Sequence, residues 1–216
     1  SWEDEKLKWN ESEYGGLGQL HVAGHELWQP DIVLFNSATG NLLDHYGNTY
    51  CIAHSNGDVL WVPPSQFQVF CKLDMRKWPF DTQSCSLSLG SWTYDGDQID
   101  ILLDNDGSEL ALLETNSEWE IVAVQSNREV MTYACCEEPY IMITYNVTLK
   151  RQSPTYSATV ITPATIIVLL TLATFWLPPT AGEKILLNVC TTAIICIFLL
   201  YFSQKLPAMV GHTPFV

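Results

Sequence analysis

Two adjacent cysteines, Cys135 and Cys136, lie between Tyr133 and Tyr140. Consecutive Cα atoms are about 3.8 Å apart across a trans peptide, whereas a disulfide usually spans roughly 4.4–6.8 Å. A bond between these two sulfurs would therefore force a strained, stiff turn. Such a turn would give a loop a rigid, sulfur-bearing face between two aromatic rings. The pair alone leaves open the alternative that the thiols are unpaired or bonded elsewhere.

A second pair of cysteines, Cys71 and Cys85, encloses 13 residues that include Trp78-Pro79-Phe80-Asp81. If these cysteines bond, closing a ~15-residue loop stabilises the folded state by about 3 kcal/mol in the chain-entropy model. A proline between two aromatic residues raises the probability of a cis peptide bond and of a fixed loop shape. The pair either staples a sandwich or holds a structured loop that contacts another part of the molecule.

Several side chains could suggest a zinc site: His21, His25, Glu26, His45 and His54. The spacing of His21 and His25 would put both imidazoles on one face of a helix, but Gly24 and the surrounding strand-like sequence argue against a helix. The acidic run at 95–107 resembles a calcium loop only loosely, because it lacks the EF-hand spacing and terminal Glu. No HExxH motif is present. We therefore expect no metal site, no cofactor and no enzyme activity.

Charge divides the chain into two unlike parts. Residues 1–151 contain eight Lys or Arg and 23 Asp or Glu, a net charge of −15, whereas 152–182 and 185–204 contain no charged residue. A helix needs ~20 apolar residues to cross a membrane, so the sequence predicts spans at 155–177 and 184–203. The alternative, two buried helices of a soluble core, would need partner helices that residues 1–151 do not supply. We predict one domain at 1–151 and a membrane region at 152–216.

The first part has the pattern of an all-β fold. Short runs rich in Val, Ile, Trp, Tyr and Thr are separated by Gly, Asn, Asp and Pro. The predicted strands include Ile32–Phe35, Asp58–Val62 (after a turn at Asn56-Gly57), Glu118–Val124 and Tyr140–Leu149. This spacing is typical of an antiparallel, immunoglobulin-like β-sandwich.

Composition also restricts the partners and the compartment. The strongly acidic first part excludes nucleic acid, which selects basic surfaces, and it would attract small cations. The sequons at Asn10 and Asn146 permit glycosylation. Five cysteines before the membrane region fit an oxidising compartment; the number is odd, and the pairing of Cys51 stays open.

The motifs together resemble those of the Cys-loop pentameric ligand-gated ion channels, and within them the alpha-type nicotinic acetylcholine receptor subunits. The matching features are the spacing of Cys71 and Cys85, the adjacent cysteines, the apolar spans, Trp28-Gln29-Pro30-Asp31, Trp61-Val62-Pro63-Pro64, Trp92-Thr93-Tyr94-Asp95-Gly96 and Gly182-Glu183-Lys184. The resemblance covers nearly all of the chain. Compared with the family, we expect the N-terminal helix, the first strand, the third and fourth membrane helices and the cytoplasmic loop to be missing, so we interpret the chain as a fragment.

The resemblance implies an aromatic site between subunits for acetylcholine or a similar quaternary ammonium compound. Ring faces attract such a cation by about 0.5–2 kcal/mol per contact. The principal face would comprise Phe35, Trp92, Tyr133, Cys135, Cys136 and Tyr140, and the complementary face Trp2, Ile52, Leu60 and Val62. The resemblance also implies two disulfides, Cys71–Cys85 and Cys135–Cys136. Trp92 is expected to be the main partner of the cation.

One position departs from the family pattern. The family usually has a tyrosine where this chain has Phe35, so the ring face is kept and the hydroxyl is lost. The hydrogen bond that this hydroxyl would make in the site contributes ~0.5–1.5 kcal/mol of net free energy. We therefore expect agonist binding with reduced affinity, which Phe35→Tyr should improve.

The second span would line the pore, with a ring of Glu183 carboxylates concentrating cations. The alternative is that Glu183 only complements the helix dipole at the start of an ordinary helix. The pore-facing residues would be Leu186, Cys190, Ala193, Ile197, Leu200 and Gln204. A ring of leucines near the narrow end favours dewetting, so we expect poor conduction alone and assembly into hetero-pentamers with other subunits.

The resemblance further implies a multi-pass protein of the postsynaptic plasma membrane with its N-terminal domain extracellular. Coupling would run through the 72–84 loop, whose tip would contact the link at 206–215. The family also has a basic residue just before the first span; Lys150 and Arg151 are present, but the equivalent position by spacing from Pro154 is Gln152, so the side chain that pairs with an acid there stays open. The alternatives are an accessory binding subunit with little conductance, a channel for another cationic ligand, and an anion-selective member of the superfamily.

Overall fold

A computed structural model describes residues 1–40, 44–45, 49–103, 116–134, 137–152, 154–205 and 210–212. The chain divides into two compact units. The first comprises Ser1–Phe70, Ser86–Ser108 and Gln125–Tyr145, and the second comprises Cys71–Cys85, Glu109–Val124 and Asn146–Val216. The domain boundary after residue 151, which rests on membrane placement, stays a prediction.

Two four-stranded sheets confirm the predicted β-sandwich. The strands are β1 (Trp2–Lys8), β2 (Gln19–Ala23), β3 (Ile32–Leu34), β4 (Asp44–His45), β5 (Tyr50–His54), β6 (Asn56–Leu60), β7 (Ser65–Gln66), β8 (Leu73–Asp74), β9 (Thr82–Ser91), β10 (Trp119–Met131), β11 (Tyr140–Arg151) and β12 (Val210–His212). One sheet has the order β1-β6-β5-β2 and the other β10-β11-β9-β3, and two-stranded pairs join β12 to β8 and β4 to β7.

The four predicted strands are found, although β10 extends seven residues beyond its predicted end. Asn56 and Gly57 are counted in β6, which pairs with β1, but the register that puts Ala53 opposite Val59 also makes them part of the predicted turn between β5 and β6. Gly57 has a φ of +95°, and a Cβ there would lie 2.8 Å from the carbonyl oxygen of Asp4 on β1. Glycine is needed because β1 approaches closely where its register with β6 shifts.

The core of the first unit lies on the inner face of β5 and β6. Cys51, Ala53 and Val59 are almost completely buried there. Partly buried apolar side chains surround them: Trp2, Leu7, Trp9, Val22, Leu27 and Trp61. The thiol of Cys51, whose pairing the sequence left open, is free, and it accepts a 3.7 Å hydrogen bond from the Gln29 side-chain amide.

The first predicted span consists of several consecutive helical segments. These are α1 (Pro154–Tyr156), a π-helical turn (Ser157–Ile161), α2 (Thr162–Ala173) and a 3-10 turn (Thr174–Trp176). Pro163 explains the change of helix type, because its ring would clash with the carbonyl of Thr159 in a regular α-helix. The wider π turn ends at Ile161, two residues before this proline.

The second span is the single helix α3 (Glu183–Lys205). Ala158–Trp176 and Glu183–Gln204 are both long and apolar enough to cross a membrane, and most of their residues are exposed. Exposed apolar helices of this length fit the two predicted transmembrane segments.

A second cluster joins these helices to the Cys71–Cys85 loop. Cys71 and Cys85 form a disulfide, and the Trp78–Pro79 bond inside the loop is cis, as the flanking aromatics predicted. Trp78 makes edge contacts with Tyr156 at 5.4 Å and with Phe202 at 5.2 Å between ring centroids. Buried Met75 and Val160 complete the cluster. The loop therefore packs against the start of the first span and the end of α3.

The chain after α3 also reaches this loop. Strand β12 pairs in parallel with β8, with Val210 opposite Leu73 and His212 opposite Asp74. The tip of the loop was expected to contact the link after the second span; the described part of that link instead pairs with the beginning of the loop. Residues 206–209 and 213–216 of that link lie outside the described residues.

Arg151 is the basic residue whose identity the sequence left open. Its Nε donates to Asp81 Oδ1 at 2.8 Å, and the side chains of Arg151 and Asp81 are 6% and 2% exposed. The guanidinium also lies 4.1 Å from the centroid of the Trp119 ring and donates to Glu118 at 3.4 Å. Gln152 instead donates to Glu120.

The same pair determines the ionisation of Asp81. Burial alone would raise the pKa of this carboxyl, but hydrogen bonds from Arg151 and Gln83 outweigh burial and lower its pKa below 3.8. For Arg151, burial opposes the charged form, yet the bonds to Asp81 prevail and raise its pKa. Both groups are therefore charged at neutral pH.

We predict that Asp81→Asn destabilises the protein by about 3 kcal/mol or more, because it leaves the Arg151 charge buried without a partner. Asp74→Asn is the matched control: it breaks an exposed pair with Arg76 in the same loop, and exposed pairs contribute little. Urea unfolding of the full chain in detergent, followed by tryptophan fluorescence, measures both.

The difference between wild type and Asp81→Asn should also depend on pH. A lowered folded-state pKa stabilises the fold above the unfolded value near 3.8, and that stabilisation is lost as the pH falls through the folded value. Equal stabilities for wild type and variant at pH 7 would contradict the role given to this ion pair.

Candidate functional site

Phe35 and Trp92 form one aromatic pair of the candidate site. Their ring centroids are 5.7 Å apart, with planes inclined by 35°. Phe35 directly follows β3 and Trp92 directly follows β9, and these strands are paired so that Ile32 lies opposite Ser91. Trp92 is 57% exposed and Phe35 39% exposed. An accessible indole face supported by a second ring is suited to a cation–π contact.

Asp31 holds the Trp92 segment in place. Its carboxylate accepts from the Ser91 hydroxyl at 2.5 Å and from the Thr93 backbone N–H at 2.7 Å. The Trp92 N–H donates to the Asp31 carbonyl at 3.3 Å. Burial would raise the pKa of Asp31, but the bonds from Ser91 and Thr93 lower it below its ordinary value. Sequence reasoning included Asp31 only as part of a motif.

Gly90 is a site residue that the sequence reasoning missed. A Cβ at this position would lie 2.9 Å from Cε2 of Phe35 and 3.0 Å from the carbonyl oxygen of Ile141. The glycine therefore lets the Phe35 ring lie directly over β9. Only its place two residues before Trp92 could have indicated this.

Tyr133 and Tyr140 form the second aromatic pair. Their centroids are 5.6 Å apart, with planes at 65°. The Gly96 N–H donates to the Pro139 carbonyl at 2.6 Å, which connects the segment after Trp92 to the residue before Tyr140. Cys135 and Cys136, with the disulfide predicted between them, lie outside the described residues.

The predicted complementary residues are divided between two faces of one sheet. Ile52 and Leu60 are register partners on β5 and β6, so their side chains share the outer face. Val62 follows β6 and is 72% exposed. Trp2 pairs with Val59 and packs against the core. Trp2 and Leu60 nevertheless both line a groove at the sheet edge, together with Glu3, His54 and Asp58.

Trp2 also takes part in a series of aromatic contacts. Its ring lies 5.9 Å from that of Trp28, which in turn lies 6.4 Å from Tyr94. Trp28 and Tyr94 belong to the same two motifs as Asp31 and Trp92. Edge contacts of this kind fix the orientation of the rings near both predicted faces.

All the predicted pore-facing residues lie on one side of α3. They recur every three or four residues and are exposed: Leu186, Cys190, Ala193, Ile197, Leu200 and Gln204. The residues that pack against the rest of the second unit lie on the other side: Lys184, Leu187, Thr191, Ile195, Phe198 and Phe202. Glu183 is exposed in the first turn of the helix.

The predicted modification sites differ in accessibility. Asn10 is exposed, and its side-chain oxygen accepts from the backbone N–H of Ser12 where it caps a short 3-10 helix. Asn146 is half-buried within β11, an inner strand of its sheet. Asn10 is therefore the more accessible of the two sequons.

The histidines do not form the helical pair that a zinc motif would need. His21 lies on strand β2, whereas His25 lies in a three-residue 3-10 helix, Gly24–Glu26. Among the described residues, no group of three or more His, Cys, Asp or Glu side chains is placed to hold a metal ion.

The chain is similar in sequence to ligand-gated channel subunits. The family profile described as the neurotransmitter-gated ion-channel ligand binding domain matches residues 1–153. Acetylcholine receptor subunit alpha-like 2 of Drosophila melanogaster is 40% identical over 217 residues, covering 96% of this chain and 38% of that protein. Neuronal acetylcholine receptor subunit alpha-6 of Homo sapiens is 37% identical over 215 residues, covering 100% and 43%. The chain spans about two-fifths of the length of these relatives.

We predict that Asp31→Ala lowers stability by about 1–3 kcal/mol, because it leaves the hydroxyl of buried Ser91 without its acceptor. Asp97→Ala, at an exposed aspartate five residues after Trp92, serves as the control and should change stability by less than about 0.5 kcal/mol. Thermal unfolding of the detergent-solubilised chain measures the stability of both variants. Indistinguishable melting temperatures for the two variants would show that Asp31 does not hold this segment.

Proposed function

The chain belongs to the Cys-loop family of neurotransmitter-gated ion channels, and on that premise we propose that it is a subunit of an acetylcholine-gated cation channel. The family consists of ligand-gated channels and not of enzymes. The agonist binds the aromatic rings of the β-sandwich at a subunit interface and opens a pore lined by α3. The protein is a multi-pass component of the postsynaptic plasma membrane, with the sandwich outside the cell and a glycan at Asn10.

The paired rings of Phe35 and Trp92 are the observation that carries this proposal. Trp92 offers an exposed indole face, and Asp31 and Gly90 hold the two rings in contact. A quaternary ammonium group has no N–H to donate, so it is recognised by ring faces and by exclusion of water. The acidic sandwich, with a net charge of −15 over residues 1–151, raises the local concentration of such a cation.

A neighbouring subunit completes the site in this proposal. Ile52, Leu60 and Val62 supply an apolar outer face, and Trp2 adds an indole at the groove beside Leu60. The Tyr133–Tyr140 pair closes the principal side, together with the adjacent cysteines. The agonist is then enclosed between two chains, and its binding stabilises their mutual arrangement.

We predict opposite effects on choline-ester binding for two substitutions in the site. Trp92→Ala removes the main ring contact and should weaken binding by about 2 kcal/mol, roughly 30-fold in Kd. Phe35→Tyr adds a hydroxyl and should tighten binding by ~0.5–1.5 kcal/mol. Competition against a radiolabelled antagonist, on complexes assembled with nicotinic receptor subunits, measures both.

Tyr14→Ala is the matched control for that experiment. Tyr14 is 63% exposed in the 3-10 helix Glu11–Tyr14 and lies outside the proposed site. Surface labelling shows whether each variant assembles. An unchanged affinity in well-assembled Trp92→Ala complexes would exclude this site as the agonist site.

The pore proposal rests on the exposed side of α3. Five copies of Glu183 around one axis would concentrate cations at the first turn of the helices. Five copies of Leu186, one turn further, would form a dewetting ring. We therefore expect the chain to conduct within hetero-pentamers; the apolar ring also favours the second candidate, an accessory binding subunit with little conductance of its own.

Two native cysteines on α3 allow this pore face to be tested. Cys190 lies on the proposed pore side, and Cys196, six residues later, is turned by about 120° around the helix axis. We predict that a cationic methanethiosulfonate irreversibly reduces agonist-evoked current in co-assembled channels. Cys190→Ser should abolish the effect and Cys196→Ser should preserve it. Protection by Cys196→Ser alone would mean that a different face of α3 lines the pore.

A further inference from the structure

Asn36 directly follows Phe35, at the point where the backbone changes its pairing partner. Up to this point the chain pairs with β9, and the Phe35 N–H continues that pairing by donating to the Ser88 carbonyl at 2.9 Å. Beyond it, the chain pairs with a different segment, since Ser37 forms an antiparallel bridge with Val69. Asn36 therefore lies at a branch between two pairing partners.

The side chain of Asn36 takes the place of a peptide group at this branch. Its Oδ1 accepts from the Ser88 backbone N–H at 3.1 Å, and its Nδ2 donates to the Ser86 carbonyl at 2.7 Å. A peptide group offers the same donor and acceptor, so the amide extends the ladder along β9 after the backbone has left it. An aspartate has the acceptors but no donor. The position thus requires the amide of asparagine.

Asn36 also binds the two chain segments that leave the Cys71–Cys85 disulfide. Its carbonyl accepts from the Phe70 N–H at 3.1 Å, and Phe70 immediately precedes Cys71. Ser86, which the Asn36 side chain binds, immediately follows Cys85. Because the two cysteines are bonded to each other, one residue is hydrogen-bonded to both ends of the loop that they close.

We propose that Asn36 is a positioning residue that makes the Cys71–Cys85 loop respond when an agonist occupies the Phe35 and Trp92 rings. Phe35 and Asn36 are consecutive, so a shift of the Phe35 backbone moves Asn36 with it. Breaking the half-buried bonds of Asn36 would leave polar groups without partners, so Phe70 and Ser86 follow the movement. The inference rests on the proposed function and gives Asn36 a role in channel opening.

This role differs from that of an asparagine that only stabilises the sandwich. A stabilising residue would affect assembly, antagonist binding and spontaneous opening together. The two side-chain bonds of Asn36 go to backbone groups of Ser86 and Ser88 and not to the rings of Phe35 or Trp92, so its loss leaves the ring contacts with a ligand in place. Opening in the presence of agonist should therefore depend on Asn36, whereas spontaneous opening should not.

The test combines single-channel recording with antagonist binding, on complexes assembled with nicotinic receptor subunits. Asn36→Ala removes both side-chain bonds, and Asn36→Asp, a variant of equal size, removes the donor to Ser86. We expect each variant to lower the opening equilibrium constant at saturating acetylcholine about tenfold, the effect of losing roughly one net hydrogen bond. Spontaneous opening without acetylcholine and the Kd of a competitive antagonist should be unchanged.

Asn127→Ala is the matched control for this experiment. Asn127 lies on β10 in the same sheet, and its side-chain amide donates to the exposed carboxylate of Glu129 at 2.9 Å. This variant should leave the opening equilibrium constant unchanged both with and without acetylcholine.

Three outcomes would overturn the role given to Asn36. An unchanged opening equilibrium constant in both Asn36 variants would show that the amide does not couple the rings to the loop. Equal losses of agonist-evoked and spontaneous opening, or failure of both variants to reach the surface, would identify Asn36 as a stabilising residue. Wild-type complexes without acetylcholine-evoked openings would refute the proposed function itself, on which this role depends.

Discussion

The buried ion pair between Asp81 and Arg151 is the constraint on which the second unit depends. Asp81 directly precedes β9 and Arg151 ends β11, two strands that are neighbours in one sheet. Desolvation offsets much of the attraction in such a pair, so its contribution to stability is modest compared with the cost of losing one partner. Trp119, Glu118 and Gln83 complete the surroundings of the pair. Within the described part of the chain, every buried side-chain N or O atom has a hydrogen-bond partner.

The two strands that meet at this ion pair also lead to the aromatic rings. β9 runs from the residue after Asp81 to the residue before Trp92, and β11 runs from Tyr140 to Arg151. Each strand therefore has a charged residue of the pair at one end and an aromatic residue of the proposed agonist site at the other.

Periodicity and charge predicted the sandwich and both spans, because alternation and long uncharged runs are local properties of the sequence. Pairing across a sheet is not local. Sequence spacing therefore could not decide between Arg151 and Gln152, and it could not show that Trp2 lies opposite core residue Val59 in the register of β1 with β6. The support of the Phe35 ring by Gly90 was missed for the same reason: the contact depends on how two strands approach each other.

The π-helical turn at Ser157–Ile161 has a consequence for mapping the first span. Each π turn inserts about one extra residue relative to an α-helix, which displaces all following side chains by roughly 100° around the axis. The positions of Tyr156 and of α2 therefore cannot be assigned to lipid-facing and protein-facing stripes with one helical wheel. A scanning-mutagenesis profile of this span should show two periodic patterns that are out of phase, with the break at the turn.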